Sequence, residues 1–267
     1  MKKIAVIGTG NLGQSFVKGL IDSGNYQTTD FILTRRTRSK LAPFEEAGFS
    51  VTTDNAEAVN QASLIVLAVL PQKLDEVLQQ IAGSLTPNHL IISLVSGVKI
   101  AQIQSTVGNT IPVVRAMPNT AIAIRESMTC LSTIPAYQEY ISEVQDLFEL
   151  VGETVVINEE QMTSATALCA CGIAFFLRAI RAASQGGNEI DFHASEALKM
   201  AAQTAKGAAS LLIANQSHPE DEIDKVTSPK GCTIAGLNEM EHNGFSSSFI
   251  KGITVSAKQA AGLYTDK

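Results

Sequence analysis

Tryptophan is absent from this sequence, and the 20 Lys and Arg residues are fewer than the 26 Asp and Glu residues. The formal net charge of -6 gives no general attraction to nucleic-acid phosphates or anionic lipid, so an anion site needs a local cluster of cations. The apolar run after the first three residues, 4–8, is too short for a signal peptide or for the ~20 residues of a membrane span. We expect a cytoplasmic protein that binds neither nucleic acid nor membrane.

Cysteine and histidine are scarce, with four residues of each. The cysteines, at positions 130, 169, 171 and 232, form no C-x-x-C pair and have no histidine at a spacing that suits zinc. Internal repeats and low-complexity tracts are also missing. These patterns predict reduced, packed thiols and no metal site.

The first half of the chain alternates short apolar runs with amphipathic stretches such as 12–22 and 73–82. Near-continuous apolar runs such as 64–69 are typical of strands that are buried on both faces of a parallel sheet. The predicted strands are 3–8, 31–34, 63–69, 89–94, 111–117 and 154–157. They indicate an α/β domain over residues 1–157, with a doubly wound, mostly parallel sheet.

From residue 158 onward, Ala, Leu, Met, Gln and Lys dominate and the β-branched runs end. Segment 194–214 carries alanines and leucines on most faces of a helix, so it must be packed on several sides. We therefore predict an all-helical second domain over residues 158–267. Its apolar surface is expected to be shared with another copy of the chain.

A glycine motif follows the first strand and precedes a helix. It reads Gly8-Thr9-Gly10-Asn11-Leu12-Gly13, the G-x-G-x-x-G pattern of Rossmann-type dinucleotide sites. One glycine allows the turn, the next admits a pyrophosphate, and the third lets the helix approach the sheet, while free helix amides face the phosphates. A flexible turn is the alternative, but the position of the motif favours a dinucleotide.

The end of the second strand indicates which dinucleotide. NAD sites usually carry Asp or Glu there, whereas this strand ends Thr34-Arg35-Arg36-Thr37-Arg38 and Asp30 lies at its opposite end. Guanidinium groups bind phosphate through charge-assisted forks, so Arg35 and Arg36 favour the 2′-phosphate of NADPH over a solvated surface role.

A hydroxyl- and glycine-rich segment, Val226-Thr227-Ser228-Pro229-Lys230-Gly231-Cys232-Thr233, leads into a predicted helix. Free amides at such a helix start can hold a small carboxylate. An ordinary helix cap by Ser or Thr is the competing interpretation.

With the Ile234-Ala235-Gly236-Leu237 that follows it, this segment resembles V-T-S-P-G-G-T-T-I-x-G-L, the signature of the pyrroline-5-carboxylate reductase family. Three earlier runs are similar to that family in the same order. They are Leu67-Ala68-Val69-Leu70-Pro71-Gln72, Ser93-Leu94-Val95-Ser96-Gly97-Val98 and Val114-Arg115-Ala116-Met117-Pro118-Asn119-Thr120.

The resemblance implies reduction of 1-pyrroline-5-carboxylate to L-proline by NADPH, with substrate bound between a nucleotide-binding domain and a helical domain that forms a homodimer or a larger oligomer of dimers. It implies that Thr233 hydrogen-bonds the ring nitrogen, as an orienting group or a relay to water rather than as an acid, since its pKa is unsuited to acid catalysis. The implied substrate contacts are Asn119, Ser228, Lys230, Gly231, Cys232 and Thr233. The implied cofactor contacts, beyond the glycine motif and Thr34 to Arg36, are Asn55, Ala68, Val69, Leu70, Pro71, Ser96 and Gly97.

The chain departs from the family pattern at several positions. Leu70 replaces a lysine, Lys230 replaces a glycine, and Leu168-Cys169-Ala170-Cys171-Gly172-Ile173-Ala174-Phe175 stands where L-S-G-S-G-P-A-Y is usual. A reductase of a related cyclic imine or ketimine is therefore an alternative. A β-hydroxyacid dehydrogenase is another, although residues 162–183 contain no lysine for its chemistry, and an NADPH sensor is a non-enzymatic third.

Overall fold

The computed structural model describes residues 2–262. Its first compact unit runs to Cys171 and includes the chain again from Ser256, while Gly172–Val255 form a second unit. An eight-stranded sheet with the order β3-β2-β1-β4-β5-β6-β7-β8 lies in the first unit. The strands are β1 Ile4–Ile7, β2 Phe31–Thr34, β3 Ser50–Thr52, β4 Leu64–Leu67, β5 Leu90–Ser93, β6 Val113–Met117, β7 Ser127–Ser132 and β8 Gly152–Val156.

All neighbouring strands are parallel except β6 and β7. Twelve α-helices accompany them in the described residues, and a π-helical segment, Thr166–Cys171, stands between α7 and α8. The helices are α1 Asn11–Asp22, α2 Ala42–Glu46, α3 Asn55–Asn60, α4 Leu74–Ile81, α5 Ile100–Val107, α6 Ile141–Glu149, α7 Met162–Ala165, α8 Gly172–Glu189, α9 Ala194–Asn215, α10 Pro219–Lys225, α11 Cys232–His242 and α12 Phe245–Ala260.

The central strands of the sheet are buried on both faces because helices cover each side. Alternate residues of β1 enter two different cores, Ile4 and Val6 on one face and Ala5 and Ile7 on the other. Side chains from α1 and α6 complete the first core, and side chains from α3, α4 and α5 complete the second. The doubly wound, mostly parallel sheet predicted from the apolar runs is confirmed.

The six predicted strands are present, with ends that lie within two residues of the predicted ones, but β3 and β7 were not predicted. β3 has only three residues and lies at the sheet edge, so its apolar signal is weak. β7 buries Ser127, Thr129 and Ser132, which masks the apolar pattern of a central strand. The Thr129 hydroxyl donates to Ser127 Oγ at 3.3 Å, whereas Ser132 Oγ is buried without a hydrogen-bond partner.

The second unit consists of helices whose apolar side chains are widely exposed. Four phenylalanines, Phe175, Phe176, Phe245 and Phe249, form one aromatic cluster. On α9, however, only Ala197 is buried, while Leu198, Met200, Leu211 and Ile213 are exposed. Within one chain, α9 therefore lacks the packing on several sides that its sequence predicts.

A continuous helical stretch, Glu159–Glu189, is long and apolar enough in composition to cross a membrane, and 17% of its apolar window is buried. This stretch includes α8, which also carries exposed apolar side chains.

Candidate active site

The glycine motif forms the turn between β1 and α1. Gly8 has φ +98°, and a Cβ there would lie 2.6 Å from Val69 Cγ1 and 2.8 Å from the Ala68 carbonyl oxygen. A Cβ at Gly13 would lie 2.6 Å from the Gly8 carbonyl oxygen, so the first turn of α1 rests on the loop itself. At Gly10, which precedes α1, a Cβ would meet no protein atom within 4 Å and would enter open space. The three glycines thus have the geometry that a pyrophosphate site requires.

A cleft of about 360 Å³ opens beside this turn. Ten predicted cofactor residues line it, namely Gly8, Thr9, Gly10, Thr34, Arg35, Arg36, Asn55, Ala68, Val69 and Leu70. Six other predicted residues are not part of its lining, namely Asn11, Leu12, Gly13, Pro71, Ser96 and Gly97. Because β1, β2 and β4 are parallel, these loops meet at the carboxyl edge of the sheet, where nucleotides bind in such folds.

The arginines after β2 differ in their surroundings. Arg35 lines the cleft and donates from Nη1 to the Thr9 carbonyl oxygen at 3.0 Å, and Arg36 lines the cleft too. Arg38 instead forms a 2.7 Å ion pair with Glu45, and both side chains are more than half exposed. Only the first two guanidinium groups are therefore placed for a phosphate in the cleft.

Several cleft residues were not predicted from the sequence. Lys40 and Lys73 add positive charge, although Lys73 also forms a 3.2 Å ion pair with Glu76. Leu70, which stands where the family pattern has a lysine, also lines the cleft and is 70% exposed. A local signal for these lysines was lacking because they come from separate segments of the chain.

A hydrogen-bond chain connects the glycine turn to the far wall of the cleft. The Gly8 amide donates to Thr34 Oγ1 at 3.3 Å, and the Thr34 hydroxyl donates to Asn55 Oδ1 at 2.7 Å. Asn55 Nδ2 then donates to Gln80 Oε1 at 2.6 Å. Asn55 is thus oriented from both sides, and Gln80 is a further residue that the sequence did not identify.

Three more predicted residues follow β5 and β6 at the same edge of the sheet. The Ser96 hydroxyl is 3.8 Å from Met117 Sδ, and Gly97 has φ +79°. Asn119 is held by three bonds: its amide N–H donates to Ser127 Oγ at 3.1 Å, its Oδ1 accepts from the Ala121 amide at 2.9 Å, and its Nδ2 donates to the Cys169 carbonyl at 3.3 Å. Its side-chain amide is therefore fixed by the π-helical segment.

A partly buried ion pair lies beneath this region. Arg115 Nη1 is 3.2 Å from Glu159 Oε1, and the same carboxylate oxygen accepts from the Ile100 amide at 2.7 Å. Burial lowers the pKa of Arg115, and the charge and hydrogen bond of Glu159 oppose that shift. Glu159 thus links Arg115 of β6 to Ile100, the first residue of α5, and the pair has a structural role.

The predicted substrate loop lies between α10 and α11 in the second unit. A turn closes it, with the Gly231 amide donating to the Ser228 carbonyl at 2.9 Å, and Lys230 has φ +59°. The left-handed backbone at Lys230 explains why the family pattern has glycine there. A Cβ at Gly231 would overlap Ser228 Oγ, so glycine is required for this turn.

Thr233 does not cap α11. The residue that precedes the helix is Gly231, α11 begins at Cys232, and no side-chain hydrogen bond caps it. The first turn of α11 also carries no acidic residue that would compete for an anion. The helix-cap interpretation of Thr233 is therefore wrong, and the free amides of α11 remain available to a carboxylate.

Among the described residues, no three His, Cys, Asp or Glu side chains are grouped as metal ligands.

Two family models match this chain. Residues 3–97 match "NADP oxidoreductase coenzyme F420-dependent", and residues 159–263 match "Pyrroline-5-carboxylate reductase dimerisation". The first match contains the glycine motif and the cleft arginines, and the second contains the loop before α11.

Relatives and solved structures point to the same family over nearly the whole chain. Pyrroline-5-carboxylate reductase 1 of Dictyostelium discoideum is 51% identical across 99% of this chain, which spans 50% of that relative's length. Pyrroline-5-carboxylate reductase 2 of the same organism is 47% identical, with 97% of this chain and 92% of the relative covered. A pyrroline-5-carboxylate reductase structure from Coxiella burnetii has a TM-score of 0.88 at 28% identity and covers 99% of each chain. The resemblance drawn from the motifs is confirmed, and the chain belongs to the pyrroline-5-carboxylate reductase family.

Proposed function

We propose that this chain reduces 1-pyrroline-5-carboxylate to L-proline with NADPH, the last step of proline biosynthesis. The observation that carries the proposal is family membership along nearly the entire chain. The cation-lined cleft and the uncapped start of α11 support the proposal, because the reaction requires one site for a nucleotide phosphate and one for a small carboxylate.

In the proposed cofactor site, Gly8 and Gly10 admit the pyrophosphate to the amides of α1, and Arg35 and Arg36 bind the 2′-phosphate. Thr34 and Gln80 hold Asn55 against the cofactor through their hydrogen bonds. When bound, NADPH supplies the hydride that reduces the imine carbon.

In the proposed substrate site, the Cys232 amide at the start of α11 holds the carboxylate, with Ser228, Lys230 and Gly231 beside it. The Gly231 amide itself donates to the Ser228 carbonyl and keeps the loop closed. The Thr233 hydroxyl hydrogen-bonds the ring nitrogen, and we assign Asn119 a further substrate contact. Positive charge on the protonated imine is neutralised during hydride transfer, so accurate positioning contributes more than a strong acid.

We further propose residues 1–157 as the nucleotide domain and 158–267 as the dimerisation and substrate domain, in a cytoplasmic enzyme. The dimerisation family match, which begins at residue 159, supports that boundary. The exposed apolar surface of α8 and α9 then faces a second copy of the chain rather than lipid.

A related cyclic imine is the second candidate substrate. The observation that favours it is the run Cys169 to Phe175, in which thiols and phenylalanine replace the serines and tyrosine usual in the family. Comparing kcat/KM for pyrroline-5-carboxylate with that for six-membered cyclic imines distinguishes the two. The absence of lysine from residues 162–183 argues against β-hydroxyacid dehydrogenase chemistry.

Replacing both Arg35 and Arg36 with alanine is expected to remove most of the preference for NADPH over NADH. Loss of charge-assisted hydrogen bonds to the 2′-phosphate should cost about 1 to 3 kcal/mol in NADPH binding. Arg38→Ala is the matched control, because Arg38 pairs with Glu45 outside the cleft. Titration of both nucleotides checks this, and an unchanged ratio in the double variant would contradict the assignment.

Thr233→Ala is expected to lower kcat/KM for pyrroline-5-carboxylate while leaving NADPH affinity nearly unchanged. One lost hydrogen bond to a charged or polar transition state costs about 1.5 to 3 kcal/mol, or roughly ten- to a hundredfold in rate. Thr233→Ser keeps the hydroxyl and should recover most of the activity. Undiminished kcat/KM in the alanine variant would rule out the proposed contact.

Sedimentation at micromolar concentration is expected to show a dimer or larger oligomer and no stable monomer, since the exposed apolar residues of α8 and α9 need a partner. Ile213→Asp, on α9, should shift the protein toward monomer, whereas Ile124→Asp should not. Both isoleucines are exposed, but Ile124 lies outside the helical unit. A folded wild-type monomer would contradict the proposal.

A further inference from the structure

Two of the four cysteines lie together although 39 residues separate them in sequence. Cys130 Sγ and Cys169 Sγ are 3.7 Å apart. Cys130 is 3% exposed and Cys169 is partly exposed, so small molecules have access to one member of the pair only. The distance exceeds a disulfide bond, about 2.05 Å, by little enough that a small local movement would close it.

The two thiols are held by segments of different rigidity. Cys130 lies on β7, which is hydrogen-bonded between β6 and β8. Cys169 lies in the π-helical segment Thr166–Cys171, which is a local irregularity between two α-helices. Met117, Met162 and Ala165 surround the pair in a small apolar core. The π-helical segment, rather than β7, therefore makes most of the movement that brings the two sulfur atoms together.

The chemistry of the pair makes Cys169 the more reactive thiol. The hydrogen bond with Cys130 lowers the pKa of Cys169 to about 7, although burial opposes the shift. The same hydrogen bond, together with burial, raises the pKa of Cys130. A thiolate with partial exposure beside a second thiol is the arrangement found in oxidation-sensitive cysteines.

We propose that Cys130 and Cys169 form an oxidative modification site, in which hydrogen peroxide oxidises Cys169 and Cys130 closes a reversible disulfide. The Cys169 thiolate attacks one peroxide oxygen, forming an S–O bond and breaking the O–O bond. The hydroxide that leaves takes up the proton released by the thiol, and the product is a sulfenic acid and water.

Cys130 sulfur then attacks the Cys169 sulfur. The S–S bond forms, the S–O bond breaks, and the oxygen leaves as a second water with the Cys130 proton. The two thiols together lose two electrons, which reduce one peroxide to two waters. A thiol reductant reverses the reaction by exchange, in keeping with a transient disulfide inside cells.

The modification would reach the proposed substrate site through Asn119. The Asn119 amide donates to the Cys169 carbonyl, so movement of the π-helical segment disturbs that bond. The cofactor cleft is built at the ends of β1, β2 and β4, away from β7 in the strand order. This part of the inference rests on the proposed function: oxidation should lower imine turnover and leave NADPH binding nearly unchanged.

The test is peptide mapping by mass spectrometry of the full-length protein after brief treatment with hydrogen peroxide. The expected product contains one Cys130–Cys169 crosslink, has lost two of its four thiols, and regains both on treatment with dithiothreitol. Cys169→Ser and Cys130→Ser should each abolish the crosslink. Cys130→Ser should leave Cys169 as a sulfenic acid that a dimedone probe traps.

Cys171→Ser and Cys232→Ser are the matched controls and should both retain the crosslink. If Cys130→Ser fails to fold, loss of the crosslink in Cys169→Ser still tests the proposal, because the side chain replaced there is partly exposed. A Cys169–Cys171 link, an intermolecular Cys232 link, or oxidation of Cys232 alone would overturn the proposal.

Turnover is measured separately, with each variant compared with its own reduced form. Wild type should lose most of its imine turnover on oxidation and recover it on reduction, while Cys169→Ser should not respond. Crosslinking in a protein that never turns over pyrroline-5-carboxylate would reject the proposed function and retain the modification site. Turnover of pyrroline-5-carboxylate without crosslinking would support the proposed function and reject the modification site.

Discussion

The close approach of the first helix to the first loop is the constraint on which the nucleotide site depends. Gly8 passes against the backbone of Ala68, and Gly13 rests on the Gly8 carbonyl, at distances that leave no room for a Cβ. These contacts place the N-terminus of α1 at the carboxyl edge of the sheet, facing the cleft. The same contact positions the end of β4, so the loop after β4 and the loop after β1 share one wall. Substituting either glycine would move the helix and the cleft together.

A second constraint shapes the loop before α11. The turn from Ser228 to Gly231 needs a left-handed backbone at position 230, which this chain places on lysine rather than glycine. Because Gly231 occupies the position before the helix, the hydroxyl of Thr233 is not needed as a cap. The start of α11 and the Thr233 hydroxyl are thus both available to a ligand. For this reason, replacing Thr233 should affect turnover more than the stability of the fold.

Features encoded by local pattern were predictable from the sequence. Apolar runs identify β1 and β4 because both faces of these strands are buried, and the glycine spacing identifies the turn because the motif occupies six consecutive residues directly after β1. Contacts between distant segments were not predictable in this way. β7 has hydroxyl side chains that are buried by tertiary packing, and Gln80 meets Asn55 across two helices. The Cys130–Cys169 pair is missed for the same reason, since cysteine spacing says nothing about two residues brought together by a strand and a π-helical segment.

The chemistry proposed for the chain is tested most directly by mass balance during turnover. Purified protein is given NADPH and 1-pyrroline-5-carboxylate, and both the NADPH consumed and the L-proline formed are quantified by chiral chromatography. We expect one L-proline for each NADPH oxidised, with far lower kcat/KM when NADH replaces NADPH. Absence of proline while NADPH is consumed with a different cyclic imine, or no consumption with any imine, would contradict the proposed chemistry.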